Sequence, residues 1–215
     1  MIRKNYFKIT LVCLLLLCSC KSKESYITNI SKNRELLMTN SKSVLVTGLD
    51  FVTINSFNRT FSNNFKTNEE FVKSYIDEFI MLAKREGLFL KYETNEVRNW
   101  RELSKGTKDS SILYELPSNI NTDYVIDFTY FQIINRISEV SYRDTNNKKG
   151  RTTNERCILN VGVSIYDGKT RKKVLEFKSK GDTSVFLFNF KKTLLKSKSR
   201  SIQRIINYLK SGDIN

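Results

Sequence analysis

RCILNVGVSIYDGKTRKKVLEFKSK, residues 156–180, decides the fold. Cys157, Leu159, Val161, Val163 and Ile165 alternate with Asn160, Gly162 and Ser164, the period of a strand with one buried face. Asp167-Gly168 is a hairpin turn signal, and Arg171–Lys180 returns with Val174 or Leu175 and Phe177 inward. Cys157 stands on the apolar row, so it reads as a small buried hydrophobe. Upstream, Asp123–Arg136 predicts a long strand with Tyr124, Ile126, Phe128, Tyr130 and Ile134 on one face and Asp127, Thr129 and Asn135 on the other. Ser141–Glu155 reads as an exposed turn joining the two. Downstream, Phe190–Lys210 predicts a helix: Leu195, Ile202, Ile205, Ile206 and Leu209 line one side, lysines and arginines cover the rest, and Gly212 follows.

The first half supplies the partner elements. Ser43–Phe57 is extended, either as one strand or as two broken at Gly48-Leu49. Asn58–Lys66 reads as a polar loop. Thr67 and Glu70 form a capping box that opens a helix lasting to Gly87. Its apolar stripe runs through Phe71, Val72, Tyr75, Ile76, Phe79, Ile80, Leu82 and Ala83, while Asp77 and Glu78 fall on the solvated side. Leu88–Tyr92 predicts a strand beneath the helix. Glu93–Pro117 is irregular; Trp100 within it suits either a ring pinning a loop to the core or a stacking platform.

This order implies an α/β (α+β) two-layer sandwich over residues 43–215. Its mixed, mostly antiparallel sheet packs two amphipathic helices on one face and turns a polar face to water. Over Ser43–Leu90 and Asp123–Lys210, the order resembles the α/β domain of envelope lipoproteins such as penicillin-binding-protein activators and the curli-export lipoprotein. The likeness is topological and brings no site residues with it.

The N-terminus has its own logic. Arg3, Lys4 and Lys8 precede an apolar run from Ile9 to Leu17, then Ser19 and Cys20: charge, short apolar core, small residue. The run is shorter than the ~20 residues a hydrocarbon core needs. Leu17-Cys18-Ser19-Cys20 resembles the lipobox of bacterial lipoproteins, and the Lys, Asn and Ile bias resembles that of spirochaete lipoproteins. The resemblance implies cleavage of signal peptide 1–19 after Ser19 and acylation of Cys20, which holds the chain on a bilayer. Residues 20–42 then read as lipid anchor and polar tether.

Composition closes several routes. Cys13 and Cys18 leave with the signal and Cys20 takes lipid, so Cys157 has no disulfide partner in the mature chain. The absence of His removes the commonest metal ligand and general base and excludes Ser–His or Cys–His nucleophiles. No nucleophile elbow and no glycine-rich phosphate loop is present. The sequence therefore predicts no enzyme, no cofactor and no metal. Losing Arg3, Lys4 and Lys8 takes the formal charge from +15 to +12. After export, the polyanions at hand are lipid headgroups and glycans, so nucleic acid is not the expected partner. Two readings of function remain. One is an outer-membrane lipoprotein facing the periplasm, an accessory or assembly factor that binds a protein partner. The other is a surface-displayed lipoprotein that binds host or environmental ligands.

Overall fold

A computed structural model describes residues 25–28, 40–105, 116–117, 119–143, 149–185 and 189–212. In chain order these form β1 (Ser25–Thr28), β2 (Ser43–Gly48), β3 (Val52–Asn55), α1 (Asn58–Ser62), α2 (Asn68–Arg85), β4 (Lys91–Thr94), α3 (Trp100–Lys105), β5 (Tyr124–Arg143), β6 (Lys149–Asp167), β7 (Lys173–Ser184) and α4 (Phe190–Ser211). The strand order is β1-β7-β6-β5-β2-β4, with β3 continuing beside β5 where β2 leaves off. Pairing is antiparallel from β1 across to β5 and parallel from β5 to β4. The fold is an α/β sandwich with a mixed sheet of seven strands and four helices among the described residues.

The core lies between the sheet and the helices α2 and α4. Phe71, Tyr75 and Phe79 of α2 meet Phe128 and Phe131 of β5 in edge-on contacts with centroids 5.0–5.5 Å apart. All five rings are buried, and each contributes about 2 kcal/mol through the apolar area it removes from water. The helix begins where its cap residues put it: Thr67 Oγ1 accepts the Glu70 N–H, and the Glu70 carboxylate reaches back to the Lys66 N–H. Asn189 caps α4 through the Lys192 N–H, and Gly212 ends it in the left-handed region. The helices are joined by polar contacts inside the apolar seam. Tyr75 Oη lies 2.7 Å from Ser201 Oγ, and Lys198 Nζ lies 2.9 Å from Glu78. On β7, a Cβ added to Gly181 would stand 1.9 Å from the Ser197 carbonyl oxygen. Only glycine lets α4 lie this close to the sheet.

Several expectations are corrected. The expected loop Asn58–Lys66 opens with a helical turn: Asn58–Ser62 forms α1, and Phe57, Phe61 and Phe65, spaced four apart, are buried, while residues 63–66 turn as expected. Within the expected tether, residues 25–28 pair with β7 instead, and Ile27 enters the core. The expected Leu88–Tyr92 strand starts later, at Lys91, because Leu88 and Phe89 turn into the core first. A bulge between Phe128 and Tyr130 shifts the inward row of β5, so Phe131 and Ile133 are buried where Tyr130 and Ile134 were expected. The exposed turn shrinks, since β5 runs to Arg143 and β6 starts at Lys149. Glu78, read as solvated, pairs with the buried Lys198. The face away from the helices is not uniformly wet. Leu45, Val125 and Tyr166 form a second apolar cluster with Leu116 and Ile120 over it, and Thr47, Asp127 and Ser164 are buried nearby.

Among the described residues, no third strand pairs with β5 beyond Ile134 or with β6 before Arg156. Asn135–Arg143 and Lys149–Glu155 therefore leave the sheet as a two-stranded ribbon. Ile137, Val140 and Tyr142 are exposed on it.

Candidate docking site

Ser19 and Cys20, the expected cleavage and acylation residues, lie outside the described residues. Cys157 is buried among the strand side chains, as its place in the alternation requires. Burial pushes its thiol up to about 12, so it stays a protonated, unreactive group at neutral pH. Trp100 opens α3, its ring 4.7 Å from Phe51 and its backbone N–H donating to the Asp50 carboxylate. That is the loop-pinning arrangement. No group of three or more metal-ligating side chains occurs among the described residues. No described helix is long and apolar enough to cross a membrane.

The far face holds a buried acid. Asp127 sits on β5, fully buried, and accepts from Arg98 Nη2 across 2.5 Å. Loss of solvation holds its carboxyl above the usual carboxylate range, outweighing the pull of the guanidinium. Asp127 Oδ2 and Thr47 Oγ1 have no hydrogen-bond partner among the described residues. Tyr166 is raised to about 12, first by burial and then by the nearby Asp127 charge. A carboxyl with no exposed surface presents no atom to a substrate in water. Arg98 instead ties the segment after β4 to the sheet: its N–H bonds to the Gly48 carbonyl, and its own carbonyl accepts from Asp50 N–H. Sequence reasoning placed Asp127 on a wet face, because nothing in the local pattern reveals that a residue 29 positions away covers it.

A surface groove lies at the β4 edge. A cavity of about 400 Å³ runs between the first half of α2 and the chain leaving β4. Ile76 forms its buried floor, with Val97 half-buried beside it. Glu69, Asp77 and Glu96 rim it, opposed by Lys73, so the rim is net acidic on a basic protein. β4 itself pairs only with β2, and its other edge carries no strand among the described residues. An open strand edge beside an apolar-floored groove is the geometry that takes up an extended segment of another chain. From sequence, the acids on α2 read only as a solvated face. Their meeting with residues 94–97 is a product of tertiary structure.

No protein-family model and no curated protein matches the chain. Solved structures do show a likeness. A putative neuraminyllactose-binding hemagglutinin homologue from Helicobacter pylori is 13% identical over 79% of this chain and 84% of its own, with a TM-score of 0.43. The PelC dodecamer from Paraburkholderia phytofirmans is 8% identical over 85% of this chain and 95% of its own, with a TM-score of 0.40. The hypothetical protein CT253 from Chlamydia trachomatis is 12% identical over 80% of this chain and 99% of its own, with a TM-score of 0.39.

Proposed function

We propose that the protein is an outer-membrane lipoprotein, held by acylated Cys20, that acts without catalysis as an accessory or assembly factor by docking a protein partner in the periplasm. The open edge of β4 beside its acid-rimmed groove carries the docking half of this reading. The occupant is an extended segment that adds a short strand to β4 and sets an apolar side chain over Ile76 and a basic one against Glu69 and Asp77. The anchoring half rests on Leu17-Cys18-Ser19-Cys20. β1 and β4 are opposite edges of the sheet, and Ser25 in β1 is five residues from Cys20. The strand closest in sequence to Cys20 is thus at the edge opposite the groove.

Photo-crosslinking in intact cells tests the docking. A benzophenone residue at Thr94 or Asn95 captures one discrete protein, and Glu69→Arg with Asp77→Arg abolishes the adduct. Capture that survives both charge reversals, or none at all, removes the groove from the reading. The anchor is tested apart from it: Cys20→Ser eliminates fatty-acid labelling and detergent partitioning. Protease treatment of whole cells leaves a periplasmic domain intact and removes a surface-displayed one.

A further inference from the structure

The ribbon has a place relative to the anchor that its sequence does not reveal. β1 runs antiparallel to β7, with Ser25 beside Gly181 and Thr28 beside Lys178. The chain before Ser25 therefore starts from the Gly181 end of that pairing. Ser25 stands five positions after Cys20, a reach of about 17 Å at full extension. Gly181 is three residues from Ser184, where β7 ends against Arg156 and the ribbon begins. From the level of Gly181, opposite Leu159, the ribbon runs on by ten residues of β6 to Lys149, about 34 Å of strand. Anchor and ribbon thus leave neighbouring points at one end of the sheet, and the ribbon reaches about twice as far.

Its surface fits what the anchor brings near. Arg136, Arg143, Lys149 and Arg151 are exposed along it, against the carboxylates of Glu139 and Glu155. Tyr142 is exposed, yet its ring lies over Gly150, where an added Cβ would meet it at 2.4 Å. The glycine gives the ring a seat across the ribbon, with Val140 exposed two residues away on the same face. By register, Arg143, Lys149 and Arg151 share the opposite face with exposed Ile137, so the ribbon offers anionic headgroups one face of cations beside an aliphatic side chain, while the ring rests on its other face. Among the described residues the two strands have no third partner, and a two-stranded ribbon is marginal in water alone, so a surface that orders it adds stability.

We infer that the ribbon Asn135–Arg143/Lys149–Glu155 is a membrane-contact arm that lies on anionic lipid headgroups beside the acylated terminus. The inference rests on the anchored reading for its geometry, and its test separates the two. Mature acylated protein carrying Ser141→Cys is labelled there with a fluorophore, since Cys157 is buried and Cys20 holds lipid. It is then reconstituted into phosphatidylcholine vesicles with or without equimolar phosphatidylglycerol, each doped with nitroxide-labelled lipid. Co-flotation with vesicles reports the anchor; quenching reports the ribbon. The expected result is quenching in the anionic vesicles that falls at high salt. Arg143→Glu with Lys149→Glu and Arg151→Glu removes it while co-flotation and far-UV circular dichroism stay unchanged. Equal quenching in both vesicle types, quenching that persists in the triple variant, or a floating but unquenched protein overturns the arm and leaves the anchor standing. The same holds if the triple variant loses a crosslinked protein but keeps its quenching, because the ribbon then serves a protein.

Discussion

Asp127 and Arg98 show how a single pair carries the far face. Arg98→Ala takes from a carboxylate with no exposed surface its hydrogen-bonded counter-charge, at a cost of roughly 3 kcal/mol at neutral pH. The sign with pH follows from Asp127, whose folded-state carboxyl is already held high by burial. A group raised on folding binds protons better in the native state, so its contribution grows as pH falls toward the unfolded value and is lost as pH rises through the folded one. Urea midpoints at pH 7 and pH 5 therefore show a smaller Arg98→Ala deficit at the lower pH, and Asp127→Asn in the same chain recovers part of the loss. An equal deficit at both pH values means that Asp127 is not the burdened group. Cys157 gives the alkaline counterpart. Its thiol moves from 9.0 to about 12 on folding through burial, so its stabilising effect is complete below pH 9 and fades as pH climbs toward 12. Cys157→Ala flattens that part of the pH profile, while the wild-type thiol resists a disulfide reagent at pH 8 until urea unfolds the chain.

At the scale of elements, the parts that could be read from sequence were those whose periodicity is local. The α2 stripe, the Thr67 cap, the β6 alternation and the Asp167-Gly168 turn all appear where expected. What was hidden depends on partners far along the chain: β1 is a strand only because β7 offers its edge, and α1 owes its shape to three phenylalanines needing one core. The β5 bulge was invisible because an inserted residue leaves composition unchanged while reversing every later side chain. Neither the groove nor the arm was legible, since each needs segments brought together by the topology. The β7–α4 contact has a sharp consequence. Gly181→Ala places a Cβ against the backbone of Ser197 and Ser201, which cannot rotate away. The α4 helix must lift from β7, and overpacking of that kind costs on the order of 3 kcal/mol. Gly150→Ala meets only the Tyr142 ring, the movable end of an exposed side chain. Thermal melts should separate the two by more than about 5 °C; similar shifts mean that α4 adapts at no cost. Amide exchange completes the element picture, with Ile137–Tyr142 exchanging ahead of Val125–Ile133, whose neighbours pair on both sides.

For the whole molecule the question is whether anything divides it. One apolar cluster takes residues from β1, β2, β5, β6, β7, α1, α2 and α4, and the small second cluster is built on strands of the same sheet, so the main core spans the domain. Tyr75–Ser201 and Lys198–Glu78 stitch the helix from the first half of the chain to the last helix across more than a hundred residues. Trp100, the sole tryptophan, reports from Phe51 and the segment after β4. Cys157 reports from β6 beneath α4, where the Ser197 hydroxyl donates to its carbonyl oxygen. Far-UV circular dichroism reports from everything at once. If the core is one cooperative unit, Trp100 fluorescence, Cys157 thiol reactivity and circular dichroism share a single urea midpoint in the mature chain. The ribbon is the permitted exception, since it adds few buried groups and loosens without exposing the core. A Trp100 transition that precedes the other two would make the β4–α3 edge, with its groove, a separately melting part. An edge that opens before the core does would take up its partner by ordering on contact, so the docking proposed at β4 would lose its preformed groove.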